Sequence, residues 1–357
     1  MSDDNVELLH DEVLVMGIGT SIVFDMSEAD AVFRKVTAEK GRAEGEAAYR
    51  AYMMERMDEP LELGPGFEFV QSYLDHPHHE LVICSRNSAL TALRAMRSFY
   101  KHGLIPDRLF FTNGGSIASY MEAYDVDFFL SANLDDIKAV NDAGTPAALV
   151  RHKKKLVEVD EIVKAMADKN LTTVKPRTRP QLVHTASGPV DTKPAAKRSF
   201  RAVKGKLCYV YDYDKVLVGP ESDDFFAANG LDVYKQVEAQ MRDTPMEEGP
   251  FFHLYQKQIG LNRRAPLGTE PYKISIVTAR GGLASFRALN QLVHWGLEPN
   301  GEVHFRNGTS KQPVLEIMRE EAPIGSIFFD DGEKNIDAAE AAQMLAGHVV
   351  LPAPETP

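Results

Sequence analysis

Four groups of polar residues in the C-terminal part of the chain have the types and the order that phosphorus chemistry needs. They are Asp212-Tyr213-Asp214, Thr278, Lys311 and Asp330-Asp331. A carboxylate such as Asp212 can attack phosphorus and form an aspartyl-phosphate. A second carboxyl two residues on, Asp214, can protonate the leaving oxygen and then activate water. The hydroxyl of Thr278 and the ammonium of Lys311 can hold the non-bridging oxygens as charge shifts. Asp330 and Asp331, together with Asp212, can hold Mg²⁺, a hard cation that prefers oxygen ligands. The ion also reduces repulsion between an anionic nucleophile and an anionic ester.

Each group follows an apolar run. Leu207–Tyr211, Ile274–Val277, Val303–Phe305 and Ser326–Phe329 read as buried strands, with helical patterns between them. This alternation predicts an α/β fold with a parallel sheet flanked by helices. In such sheets ligands bind beyond the carboxyl ends of the strands, where the four groups lie. A cap-like insertion with helical patterning, about 220–272, separates the first two strands. Its aromatic residues Phe225, Phe226, Phe251, Phe252 and Tyr255 read as core, with base stacking the sharper alternative.

The chain also repeats itself. Leu81–Asn87 reads like Ser275–Arg280, Arg94-Ala95 like Arg287-Ala288, Gly103-Leu104 like Gly296-Leu297, and Phe111–Gly114 like Phe305–Gly308. Gly64-Pro65-Gly66-Phe67 likewise resembles Gly249-Pro250-Phe251-Phe252. Two homologous halves follow, 13–150 and 207–351. Aligned on the second, the first puts Gly17 opposite Asp212, Gly19 opposite Asp214, Ser85 opposite Thr278, Ile117 opposite Lys311, and Ser131-Ala132 opposite Asp330-Asp331. The first half is therefore expected to be catalytically dead and to serve as a wall of the site or as an assembly surface.

The order Asp-x-Asp, hydroxyl, lysine, acidic pair resembles the haloacid dehalogenase superfamily, and Asp214 favours a phosphatase over a dehalogenase. Further stretches resemble the cytosolic 5′-nucleotidase type I family. They include Ile22–Met26, Glu59-Pro60-Leu61, Thr112–Gly115, Tyr120–Tyr124, Phe129–Ala132, Val277–Arg280 and Phe328–Asp331. The resemblance covers most of the chain except 152–206. It implies two Rossmann-like halves of haloacid dehalogenase type and Mg²⁺-dependent hydrolysis of nucleoside 5′-monophosphates, AMP among them. It also implies homo-oligomers. Carried over by position, Asp212 is the nucleophile and Asp214 the general acid/base, whose backbone carbonyl is a further metal ligand. Thr278, Ala279, Arg280 and Lys311 bind substrate; Asp330 binds the metal directly, and Asp331 either binds it or supports a residue that does. Arg280 as a structural salt bridge stands beside its substrate role. Two departures are Tyr213, where the family has glycine, and a longer 152–206 connection.

Composition bounds the remaining possibilities. The chain has 357 residues and a formal charge of −12, which disfavours nucleic acid or an anionic membrane as a partner. Two cysteines, outside any CxxC pair, and an acidic N-terminus suggest a reduced, cytoplasmic setting. Residues 151–206 read as a basic Pro/Thr-rich linker; from Lys175 to Lys206 there are nine basic residues and one acid. Gly17-Ile18-Gly19 lacks the third glycine of a dinucleotide loop. His76-Pro77-His78-His79 reads as a solvated turn rather than a metal site, and Lys153–Lys155 as a solvated run. A phosphatase of another phosphomonoester, such as a sugar phosphate, and a non-catalytic nucleotide-binding protein remain the alternatives.

Overall fold

Short, uninterrupted apolar runs form the strands, as burial on both faces of a parallel sheet requires. They are β1 (Leu14–Ile18), β2 (His79–Ser85), β3 (Arg108–Phe111), β4 (Phe128–Ser131) and β5 (Ala147–Val150), followed by β6 (Leu207–Tyr211), β7 (Tyr272–Thr278), β8 (Val303–Phe305), β9 (Ser326–Asp330) and β10 (Leu345–Val349). A computed structural model describes residues 13–76, 78–151, 157–169, 206–266, 268–322 and 325–351. The strands predicted in the C-terminal part agree to within two residues.

The described strands form one sheet rather than two, in the order β3-β2-β1-β4-β5-β10-β9-β6-β7-β8. All neighbours are parallel except β5 and β10, which run antiparallel with Val150 opposite Gly347. From either edge to that join, the order is third, second, first, fourth and fifth strand of its half. The carboxyl ends of the two sets of strands therefore face opposite edges. The sheet also coils. β2 and β7 stand seven places apart, roughly 34 Å in a flat sheet. Yet His79 Nε2 lies 2.7 Å from Tyr272 Oη. His76 and His79 are thus buried in a ring stack with Tyr73 and Tyr272, not in the solvated turn expected.

In the first half the helices are α1 (Thr20–Val23), α2 (Ser27–Lys40), α3 (Arg42–Glu55), α4 (Phe67–Leu74), α5 (Ala89–Lys101) and α6 (Leu134–Asp142). Side chains cap two of them: Ser88 accepts from the Thr91 amide at α5, and Asn133 accepts from two amides at α6. α7 (Val159–Asp168) lies inside the expected linker but is a packed helix. Its Met166 is buried and Asp160 pairs with Lys35 of α2 at 2.7 Å. The rest of the basic stretch, from 170 to 205, lies outside the described residues, as do Lys153–Lys155.

The second half holds α8 (Glu221–Asn229), α9 (Leu231–Gln240), α10 (Phe252–Arg264), α11 (Ala284–Trp295), α12 (Gln312–Glu321) and α13 (Glu333–Ala341). The expected insertion divides in two. α10 is a core helix, with Phe252, Leu254, Tyr255 and Ile259 buried. α8 and α9 lie toward the carboxyl edge, where Ser222 and Glu238 meet Arg280. Phe251 is buried with α10, whereas Phe226 is exposed and packs on Tyr234.

Gly64 and Gly249 sit in matching crossings. An added Cβ would fall 2.7 Å from the Ile22 carbonyl in one and 2.6 Å from the Val216 carbonyl in the other. Backbone contact this close admits only glycine.

The strand registers correct the alignment of the halves. Leu14 faces His79 as Leu207 faces Tyr272. The Gly19 amide donates to Leu130 as the Asp212 amide donates to Phe329. Gly19, not Gly17, therefore stands at the Asp212 position, and Ser21 at that of Asp214. Ser85 opposite Thr278 and Ser131 opposite Asp330 hold in the same registers.

Candidate active site

The ends of β6, β7 and β9 and the start of α12 bring Asp212, Thr278, Asp330 and Lys311 to one edge. All four are buried. Lys311 Nζ lies 2.8 Å from Asp212 Oδ1 and 2.6 Å from Asp330 Oδ2. Burial opposes the charge on Lys311, but Asp212 and Asp330 outweigh it and hold its pKa above the usual lysine value. Burial pushes the Asp212 carboxyl well above the ordinary range, against the pull of Lys311, and Asp330 adds to the rise. Asp330 Oδ1 accepts from the Gly332 amide at 2.7 Å and Asn335 Nδ2 at 3.0 Å, in the first turn of α13.

Carboxylate oxygens of Asp212, Asp330 and Asp331 lie within 4.8 Å of one another. Burial, then repulsion from Asp330, pushes Asp331 up to about 6. Despite the ion pair with Lys311, Asp212 Oδ1 is a buried oxygen with no hydrogen-bond donor, because that approach is off-angle. Crowded hard oxygens with one lone pair unsatisfied fit a divalent cation such as Mg²⁺.

Asp214 is gripped by a neighbour. Arg280 Nε donates to its Oδ2 at 2.9 Å and Nη2 to its Oδ1 at 2.7 Å, a bidentate pair. The same guanidinium reaches Glu238 at 2.5 Å, Ser222 Oγ at 2.6 Å and the Ala284 carbonyl at 3.3 Å. Arg287 pairs with the other oxygen of Glu238 at 2.9 Å. Arg280 is 3% exposed, and every one of its N–H groups has an acceptor. It forms the structural salt bridge and makes no open contact surface. The Thr278 hydroxyl accepts from the Arg280 amide at 3.1 Å, and Ala279 between them is exposed.

Tyr213 lies on the Arg280 side of the site. Its ring is 1% exposed and packs under the Arg280 guanidinium, 5.2 Å away. Lys215, at φ 61°, turns the chain out of the site and pairs with Asp223 at 2.7 Å. Beside it a cavity of about 550 Å³ is lined by Lys215, Pro220 and Asp224, and by Thr145 and Pro146 from the first half. Ser222, Glu238, Arg287 and Asn335 escaped the sequence reading. Asn335 had a local signal, since it sits one helical turn past the acidic pair, and Arg287 figures in the sequence only as a landmark of the repeat.

No described helix is long and apolar enough to cross a membrane. A family model described as 5′-nucleotidase matches residues 6–166 and 184–355. The chain is also 22% identical to human (Homo sapiens) Cytosolic 5′-nucleotidase 1B over 353 residues, covering 94% of this chain and 48% of that protein. The chain thus spans about half the length of that relative. With the family model matching both halves, the chain belongs to the 5′-nucleotidase family.

Proposed function

We propose that the second half hydrolyses nucleoside 5′-monophosphates in a Mg²⁺-dependent reaction through an aspartyl-phosphate on Asp212. The observation that carries this reading is Asp212 paired with Lys311 at 2.8 Å, beside Asp330 and Asp331. A carboxylate Oδ of Asp212 attacks phosphorus, and the bond from phosphorus to the nucleoside 5′-oxygen breaks. Asp214 gives its proton to that oxygen. It then takes a proton from water, whose oxygen attacks the acyl phosphate and releases inorganic phosphate and free Asp212. Lys311 and Thr278 hold the phosphoryl oxygens throughout. Arg280 is a positioning residue: it fixes the direction of Asp214, which must free one oxygen to act. Asp212, Asp330, Asp331 and the Asp214 carbonyl would hold Mg²⁺, which supplies charge neutralisation at the phosphoryl group.

The cavity beside Lys215 would take the nucleoside, with the first half as part of its wall. In this reading the halves, 13–150 and 207–351, are duplicated haloacid dehalogenase-type units. α8 and α9 act as a cap over the second. The first half is catalytically dead: Gly19 replaces the nucleophile and the buried Ile117 replaces Lys311. A homo-oligomer in the cytoplasm is part of the same proposal.

A panel of phosphomonoesters with Mg²⁺, and EDTA as control, tests this. Phosphate release from nucleoside 5′-monophosphates is expected. Turnover of sugar phosphates alone would move the substrate class, and no release from any member would favour a binding protein.

A further inference from the structure

A cavity of about 830 Å³ opens at the carboxyl ends of β1, β2 and β4, on the edge opposite the Asp212 cluster. It occupies the place in the first half that the catalytic cluster occupies in the second. Gly19, Ser85 and Ser131 line it at the registers of Asp212, Thr278 and Asp330. The turn Asn113-Gly114 repeats the left-handed backbone of Asn307-Gly308, with φ of 51° and 91° against 48° and 76°.

The chemistry of the walls has changed. A Cβ on Gly19 would fall 2.8 Å from Ser131 Oγ, so no carboxylate side chain fits there without displacing Ser131. The Lys311 position holds buried Ile117. Cations come instead from Arg50 on α3 and Arg86 after β2, both lining the cavity. Each has a buried Nε–H with no acceptor, although Arg86 also pairs with Asp136 at 2.5 Å. A buried donor without an acceptor is costly, and two beside one cavity call for an anion. Phe33 and Tyr49 line the same space and meet edge to face at 6.4 Å, an apolar wall for a flat ring. Carboxylates of Asp25, Asp30, Glu46 and Asp136 also line it, and Asp136 Oδ1 lacks a hydrogen-bond donor, which suits hydroxyl groups and disfavours a highly charged polyphosphate. The volume falls in the range of small-ligand sites.

We propose that this cavity is a second ligand site, which binds a nucleoside monophosphate without hydrolysing it. The phosphate sits on Arg50 and Arg86 and the base against Phe33 and Tyr49. The proposal does not rest on hydrolysis in the second half.

Equilibrium dialysis of the full-length Asp212→Asn chain against radiolabelled AMP tests it. Two molecules per chain are expected. Arg50→Gln in that background should weaken one of the two classes about tenfold or more and leave the other intact. Phe33→Ala, a change that keeps the charge, should weaken the same class. Adenosine and inorganic phosphate, each carrying half of the ligand, should compete poorly for it. No binding, or binding at one site or two that either well-folded variant leaves unchanged, would overturn the proposal. Phosphate release is read separately on the wild-type chain, so loss of that activity leaves this result standing.

Discussion

His79 and Tyr272 hold the same place in the two halves, and their side chains meet at 2.7 Å. One faces Leu14 across the sheet and the other faces Leu207. The His79 Nδ1 lies 2.8 Å from the Tyr73 carbonyl, which can only accept, so Nδ1 carries the proton. Nε2 is then the acceptor for the Tyr272 hydroxyl. The seam between the halves is thus built on a neutral histidine.

Acid should open that seam. Burial lowers the His79 pKa well below its ordinary value, and pushes His76 down to about 4. Both bind protons more readily in the unfolded chain. The stability they contribute is full above the unfolded value of roughly 6.5 and is lost as pH falls toward 4. Thermal unfolding between pH 7.5 and 4.5 should show Tm falling by several degrees through this window. In His79→Gln the fall should be shallower. An equal slope in the variant would place the acid sensitivity elsewhere.

Asp212→Asn should be folded and inactive. Enzymes that hydrolyse phosphomonoesters accelerate reactions that are otherwise among the slowest known, so a lost nucleophile leaves no usable background. Phosphate release should drop by at least about 10³-fold. The Tm should equal or exceed that of the parent, because three crowded carboxyls become two while Lys311 keeps Asp330. Near-normal turnover would reject the covalent route.

Most of the site residues legible in the sequence end strands; Lys311, at the start of α12, is legible from its place in the order instead. Asp212, Thr278 and Asp330 each follow an apolar run, and strand ends in a parallel sheet converge. Glu238 was not legible: it sits on α9, and only the folded chain brings it to Arg280. The joined sheet was hidden for a similar reason. Pairing of β5 with β10 is antiparallel and joins strands nearly 200 residues apart, which no local periodicity records. The histidine stack was misread because His76–His79 is locally a polar turn, and its burial comes from Tyr272 in the other half. The two-residue misplacement of Gly17 arose because both Gly17 and Gly19 follow the same apolar run, and only the backbone pairing separates them.

Arg280→Lys should impair catalysis more than binding. Lysine keeps the charge but cannot span Asp214, Glu238 and Ser222 at once. With Asp214 loosened, kcat should fall by about 10²-fold while KM changes little, as for a residue acting on the acid/base step. Stability should fall by about 2–4 kcal/mol, since Glu238 and Arg287 stay buried with the network broken. A rise in KM at constant kcat would instead make Arg280 a substrate-binding residue.

Metal binding can be read without turnover. Asp212, Asp330 and Asp331 are crowded in the folded chain and separated in the unfolded one, so a divalent cation should bind only the former. A ligand selective for the folded state stabilises it by about 2.7 kcal/mol at a hundred times its Kd. Millimolar Mg²⁺ should therefore raise Tm by several degrees, and EDTA should reverse the rise. Asp331→Asn should reduce the shift, and Asp330→Asn should abolish it, because Asp330 alone is also anchored by Gly332 and Asn335. The same shift in Asp330→Asn as in the parent would mean that the cation binds elsewhere.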